Sequence, residues 1–191
     1  NPAGHVGFFL FGSVPEPHTL YADIEALPAG HTLTFGADGG RRLVTYFSPR
    51  DMLTEPRNDS LEVDLRHHLL DSVRHHFVAD VPVGIFLSAG LDSAAITALA
   101  FESQKDDLRT FTLGFEEFVN SKRDEVPLAQ LIAKRYKATS AIERVARLHF
   151  EGALPDIISS MDQPTIDGVN TYFVARAAAR GGLKVALSGL G

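Results

Sequence analysis

The stretch from Val81 to Ser93 limits what this chain can fold into more than any other. Val81-Pro82-Val83-Gly84-Ile85-Phe86-Leu87 is apolar on both alternating sets of positions, the pattern of a strand covered on both faces in a parallel sheet. Pro82 falls at its start, where a missing amide is tolerated. The chain then turns through Ser88-Ala89-Gly90-Leu91-Asp92-Ser93, and Leu91, Ala94, Ala95, Ala98 and Phe101 follow at helical spacing. Strand, tight turn and helix together predict a βαβ unit. The first amides of that helix are unpaired and face whatever lies beyond the strand.

The residue types in the turn suit an anion. Gly90 and the nearly side-chain-free Ala89 let backbone amides approach phosphate oxygens closely, and Ser88 and Ser93 add a hydroxyl at each end. Asp92 is the odd member, because a carboxylate beside phosphates is repulsive unless a cation lies between them. It therefore reads as a ligand for Mg²⁺, a hard ion that takes carboxylate and phosphate oxygens together. A plain Asx-type turn with Asp92 or Ser93 as N-cap explains the same six residues and stays open at this point.

Leu87-Ser88-Ala89-Gly90-Leu91-Asp92-Ser93, preceded by Ala79-Asp80-Val81-Pro82-Val83-Gly84, resembles the pyrophosphate loop of the glutamine-dependent asparagine synthetases, usually written Ser-Gly-Gly-x-Asp-Ser. Ala89 replaces the first glycine, a mild change if the backbone there is accessible to alanine and a damaging one if it needs positive φ. The loop is not of the Walker type, since no Gly-Lys-Ser or Gly-Lys-Thr occurs.

Composition narrows the partners. Eighteen basic residues against 24 acidic ones give a net charge of −6, which argues against a nucleic-acid surface. With no cysteine there is no disulfide framework, thiolate metal site or cysteine nucleophile. No apolar stretch approaches the roughly 18 residues of a membrane span, and Phe8-Phe9-Leu10-Phe11 lacks the preceding basic residues of a signal. A soluble cytoplasmic protein acting on small molecules is expected.

Residues 1–50 read as the tail of a larger domain: a helical Val6 to Phe11, a breaker Gly12 to His18, and a hairpin from Thr32 to Phe35 and Arg42 to Phe47. Leu27-Pro28-Ala29-Gly30-His31 and Tyr46-Phe47 resemble the end of the glutaminase domain of the same family, whose N-terminal cysteine is not in this chain. Residues 51–58 read as a linker. Asp59 or Ser60 then caps a helix with an apolar stripe of Leu61, Leu65, Leu69, Val73 and Phe77. Its His67, His68, His75 and His76 do not make a metal site. The pairs stand roughly 10–12 Å apart along the axis, too far to share one ion.

Beyond a surface turn at Gln104 to Arg109, Thr110 to Phe115 reads as a strand. Asp124 and Glu125 open the next helix, where their charge favours the positive end of the dipole, and Leu128, Leu131, Ile132 and Tyr136 supply its apolar positions. A strand at Ala141 to Val145 and a helix from Phe150 to Met161, interrupted by Pro155, follow. The polar loop Met161 to Tyr172 then leads into a helix ending near Arg180-Gly181-Gly182. The last strand, Val185 to Leu187, runs into Ser188-Gly189-Leu190-Gly191, where the chain stops abruptly in a manner that suggests truncation.

Alternating strands and helices from Asp80 onward predict an α/β fold with a doubly wound parallel sheet, its ligands at the carboxyl ends of the strands. The resemblance implies an adenine nucleotide α-hydrolase-like sheet over residues 59–191, truncated, preceded by a small β-rich glutaminase remnant over residues 1–50. It implies ATP and Mg²⁺, with Leu87, Ser88, Ala89, Gly90, Asp92, Ser93, Leu113, Ser188 and Gly189 at the nucleotide and Asp92 on the metal. Asp162, in the family's Asp-x-Pro signature, is the candidate for ordering the acceptor pocket, and an Asx loop is its bland alternative. The implied activity is ligase chemistry: aspartate, or a similar carboxylate, is activated as an acyl-AMP with release of pyrophosphate and aminated by glutamine-derived ammonia. A homodimer is compatible with the resemblance. Leu190 stands where an acidic residue is common, which keeps open a related enzyme with another acceptor, such as a β-lactam synthetase. A nucleotide-binding module without activity also stays open. A serine hydrolase using Ser88 is disfavoured, because Phe86 occupies the place of the elbow's first glycine.

Overall fold

The computed structural model describes residues 1–53, 61–103 and 107–189. They fall into two compact units, Asn1–Asp59 with Ile158–Gly168, and Ser60–Ile157 with Val169–Gly191. The expected linker beyond residue 53, the cap at Asp59 or Ser60, the first part of the turn after Gln104, and Leu190 lie outside the described residues. No helix among the described residues is long and apolar enough to cross a membrane.

In the first unit, helix α1 (Pro2–Phe11) begins at Asn1, whose side chain accepts from the Ala3 amide, and ends at left-handed Gly12. Strands β1 (His31–Phe35) and β2 (Arg41–Thr45) form the expected antiparallel hairpin, with His31 opposite Thr45 and Phe35 opposite Arg41. Gly30 closes its base: φ is +69°, its carbonyl accepts from the amides of Tyr46 and Phe47, and a side chain there would run into the Phe47 carbonyl. The Leu-Pro-Ala-Gly-His phrase thus has a structural reason. A single-turn helix, α2 (Pro49–Met52), follows Ser48. The unit also takes in Ile158–Gly168, which the sequence assigns to the second domain. Gln163 Oε1 accepts from Leu20 N at 2.9 Å, Ile166 N donates to Gly12 O at 2.9 Å, and Ser13 bridges to Thr165.

The second unit is built on four parallel strands, β3 (Val83–Phe86), β4 (Arg109–Phe115), β5 (Thr139–Val145) and β6 (Val185–Leu187), in the order β5-β4-β3-β6. Helix α3 (Leu61–His76) precedes them, and α4 (Leu91–Ser103), α5 (Val126–Arg135), α6 (Arg147–Ser159) and α7 (Gly168–Arg180) lie between successive strands. Alternation along β3 sends Ile85 and Leu87 to one face, against Val73 of α3, Ala100 of α4, and Ala129 and Ala133 of α5. Phe86 goes to the other face, with Phe111, Ala178 of α7 and Leu183. Helices on both faces make the sheet doubly wound, as the two-sided apolar strand requires. The chain builds β3, β4 and β5 outward to one side and then returns to lay β6 on the other side of β3. The strand order therefore reverses between β3 and β6, and a crevice opens at such a point.

The buried stripes differ from those expected. On α3, Val73 is buried as expected, but Leu70 is buried with it, while Leu65 and Leu69 are 59% and 42% exposed. The inward face runs through Leu70, Val73 and Phe77, and the exposed Arg66 pairs with Glu102 of α4. On α4, Leu91 faces solvent and Ser93, Thr97 and Ala100 are buried. On α5, Val126, Ala129 and Ala133 point inward and Leu128 and Leu131 outward. Short side chains on these faces let the helices lie close to the strands, which displaces the bulkier leucines to the rim. Pro155 is accommodated inside α6 and does not interrupt it.

Candidate nucleotide site

A cavity of about 510 Å³ opens over the C-terminal ends of β3, β4 and β6. The segment after β3 supplies Leu87, Ser88 and Gly90, the start of α4 supplies Asp92 and Ser93, and the segment after β6 supplies Ser188 and Gly189. Leu113 and Phe115 come from the end of β4, Phe118 and Arg123 follow it, and Asn170, Thr171 and Val174 of α7 form the facing wall.

Ser93 holds the β3 loop together. Its hydroxyl accepts from Ser88 N at 3.2 Å, lies 2.9 Å from Ser88 Oγ, and is within 3.2 Å of the carbonyls of Ser88 and Gly90. Gly90 N donates to Ser88 Oγ at 3.1 Å. Ala89 is not among the residues with positive φ, so alanine fits the backbone where the resembling loops carry glycine. Below the turn, Leu87 N donates to Phe111 O and Thr112 Oγ1 donates to Leu87 O, both at 2.8 Å, which fixes the loop to the neighbouring strand. Gly189 meets the same loop from the other side. A Cβ on it would lie 3.1 Å from Ser93 N and 3.2 Å from Asp92 Cβ, so only glycine allows this approach without a shift. The exposed Asp92 carboxylate makes no hydrogen bond or ion pair among the described residues.

Strand β4 outruns β3. Its last β3 partner is Phe86, opposite Phe111, yet it continues along β5 to Phe115. Phe111 O faces β3, and by alternation the amide and carbonyl of Leu113 face the same edge, past the end of β3. The cavity is therefore divided: a polar end of hydroxyls, glycines and Asp92 at β3 and β6, and an apolar end of Phe111, Leu113, Phe115, Phe118 and Val174 at β4 and α7.

Asp124 accepts from Val126 N and from Arg144, both at 3.2 Å, and its side chain is 5% exposed. It supports the start of α5, as the sequence suggests, and with Glu125 it also lines the cavity. Glu125 occupies the N-cap position without a side-chain cap bond. No histidine lines the cavity, and no group of three metal-ligating side chains occurs among the described residues. Ser88 thus has no histidine in the cavity to activate it as a nucleophile by the Ser–His route.

A family model described as asparagine synthase matches residues 64–191. The chain belongs to the asparagine synthase family. It is 35% identical over 190 residues to asparagine synthetase [glutamine-hydrolyzing] 1 of Bacillus subtilis, covering 96% of this chain and 29% of that protein. A Mycobacterium bovis protein provisionally given the same name is 41% identical over 187 residues, covering 93% of this chain and 28% of its own length. This asparagine synthase family chain therefore spans less than a third of those relatives. An NH3-dependent NAD synthetase from Campylobacter jejuni aligns over 66% of this chain and 54% of its own, with a TM-score of 0.45 and 14% identity.

Of the residues picked out in this asparagine synthase family sequence, Leu87, Ser88, Gly90, Asp92, Ser93, Leu113, Ser188 and Gly189 line one cavity. Ala89 lies outside the lining, and Asp162 is exposed and belongs to the first unit. Its carboxylate makes no hydrogen bond among the described residues, so it forms no Asx loop. Sequence reasoning missed Phe118, Arg123, Asn170 and Thr171. Arg123 adjoins the acidic pair already noted, and Asn170 and Thr171 lie in the loop noted after Met161, so position alone was the available signal.

Proposed function

We propose that the second unit is the ATP-binding, adenylating half of an amide-forming ligase and that its nucleotide occupies this cavity. One observation carries the proposal: the two small-residue motifs, Ser88–Ser93 and Ser188–Gly189, meet over adjacent strand ends where the sheet order reverses. The polar end suits the phosphate chain, with amides at the start of α4 and the hydroxyls of Ser88 and Ser93 as donors. The apolar end suits the base, and the outward amide and carbonyl of Leu113 offer one donor and one acceptor to its edge.

Asp92 fits a Mg²⁺ ligand, because Mg²⁺ in such sites takes one or two carboxylates plus substrate phosphates rather than an all-protein cage. The free carboxylate of Asp92 on the cavity wall meets that need. A bound Mg²⁺ would offset the charge that grows on the departing pyrophosphate. The rest of the chemistry is positioning: the loop holds the β and γ phosphates, and the substrate carboxylate attacks the α-phosphorus, forming an acyl-AMP as the bond to pyrophosphate breaks. Ammonia then displaces AMP to give the amide. By the relatives' names the substrate would be aspartate and the ammonia source glutamine, with the first unit the end of a glutaminase domain. Leu190, where an acidic residue is common, leaves room for a second version in which the same adenylating half serves another carboxylate.

ATP–pyrophosphate exchange by the intact protein tests this. Asp92→Asn should lower exchange by about a hundredfold or more while circular dichroism stays unchanged, since an ionic contact to developing charge contributes about 3 kcal/mol. Undiminished exchange would refute the assignment.

A further inference from the structure

Beyond the phosphate loop, the apolar end of the cavity carries a feature that the phosphate contacts do not account for. Phe118 closes the short 3-10 turn Glu116–Phe118 and lines the cavity, its ring edge-to-face with Phe115 at 5.8 Å between centroids. The Arg123 guanidinium lies over the Phe118 ring, 5.8 Å from its centroid. Arg123 is the only cationic side chain among the described lining residues, and it is followed directly by Asp124 and Glu125. It pairs with neither: Asp124 is taken by Arg144, and the Arg123 guanidinium makes no hydrogen bond or ion pair among the described residues. A guanidinium that stays on a ring face with carboxylates next to it in the chain leaves a flat cationic surface, which suits stacking on another planar π-system.

We propose that Phe118 and Arg123 form the stacking wall for the nucleobase and so set the preference of the site for an adenine nucleotide over bare polyphosphate. The proposal rests on the nucleotide reading above and adds the residues that hold the base. Phosphates at the Ser88–Ser93 end leave the base at the β4 end, where the backbone edge of Leu113 can meet its rim but cannot cover its face. Phe118 offers that face an aromatic partner, and Arg123, over the Phe118 ring, holds it in place.

Calorimetry on the intact protein with Mg²⁺ present separates the two ends, using ATP, adenosine and inorganic tripolyphosphate as probes. Phe118→Ala should weaken ATP and adenosine by the same factor, about 5- to 150-fold for the loss of one base–aromatic stack, and leave tripolyphosphate unchanged. Arg123→Met should give a smaller loss on the same two ligands, about 2- to 5-fold. Phe118→Leu, which keeps an apolar side chain and removes the ring, should follow Phe118→Ala if the truncated variant folds poorly. Unchanged adenosine affinity in the folded variants would overturn the proposal, as would a loss in Arg123→Met confined to ATP and tripolyphosphate, which would make Arg123 a phosphate contact. Wild-type protein that binds neither ATP nor tripolyphosphate would overturn the nucleotide reading, and this proposal with it.

Discussion

Replacing Ser93 by alanine should loosen the phosphate loop without unfolding the unit around it. Ser93 is 6% exposed, and its hydroxyl accepts from Ser88 N while having three acceptors for its own proton, namely Ser88 Oγ, Ser88 O and Gly90 O. One proton serves one of these at a time, so alanine removes two hydrogen bonds, about 1–3 kcal/mol at the usual net value of each. The open cavity lets water reach the orphaned Ser88 amide, which keeps the cost from rising further. The loss is local, so it reads out as faster amide exchange in peptides covering Phe86 to Thr97, by about 5- to 150-fold. Peptides from β5 should keep their protection. Ser103→Ala, which removes a single bond to Ala100 O at the far end of α4, serves as the control and should change the loop by less than a factor of two or so. Loop exchange that is the same in Ser93→Ala and wild type would refute the claim that this hydroxyl holds the turn.

Gly189→Ala should lower ATP affinity by about tenfold with the fold intact, because its Cβ would press on the Asp92–Ser93 backbone at 3.1–3.3 Å; calorimetry checks it. Leu70→Ala should cost about 2–5 kcal/mol in urea unfolding while Leu65→Ala costs under about 1, the reverse of what an inward Leu65 would give. Asp107, exposed and gripped by both Arg109 Nε and Nη2, has its carboxyl held below the usual carboxylate range, first by that hydrogen bonding and then by the nearby charge. A depressed carboxylate contributes stability above its unfolded pKa and loses it as pH falls through the folded one. Its NMR titration should therefore shift upward in Arg109→Gln, with only a slight effect on stability because the pair is solvent-exposed.

The fold was legible where the chain is short of choices. An apolar run on both alternating sets suits a doubly covered strand, and the small-residue turn and helical spacing after it suit a βα unit, so β3, its loop and the parallel sheet were legible from Val81 to Ser93. The helix faces were less legible. Leu69-Leu70 is a doublet, and Leu69 or Leu70 fits the helical period with Val73 and Phe77 about equally well. Only contact with α4 chooses between them. On α5, size misled: the sheet takes Ala129 and Ala133 because they allow close approach, and hydrophobicity alone favours Leu128 and Leu131. The cavity wall contributed by Phe118, Arg123, Asn170 and Thr171 is assembled from segments far apart in the chain, which no local pattern reports. The attachment of Ile158–Gly168 to the first unit rests on contacts such as Gln163 to Leu20, across 143 residues of chain, and leaves no trace in the local sequence.

An amide-resolved NMR titration with MgATP tests most directly whether the Ser88–Ser93 turn grips a nucleotide. The amides of Ser88 to Ala94, Leu113 and Gly189 should shift together and saturate with a single affinity, and tripolyphosphate should move the first and last of these while leaving Leu113 in place. Shifts gathered elsewhere on the chain, or a turn that stays unmoved at ligand concentrations that saturate other amides, would contradict it.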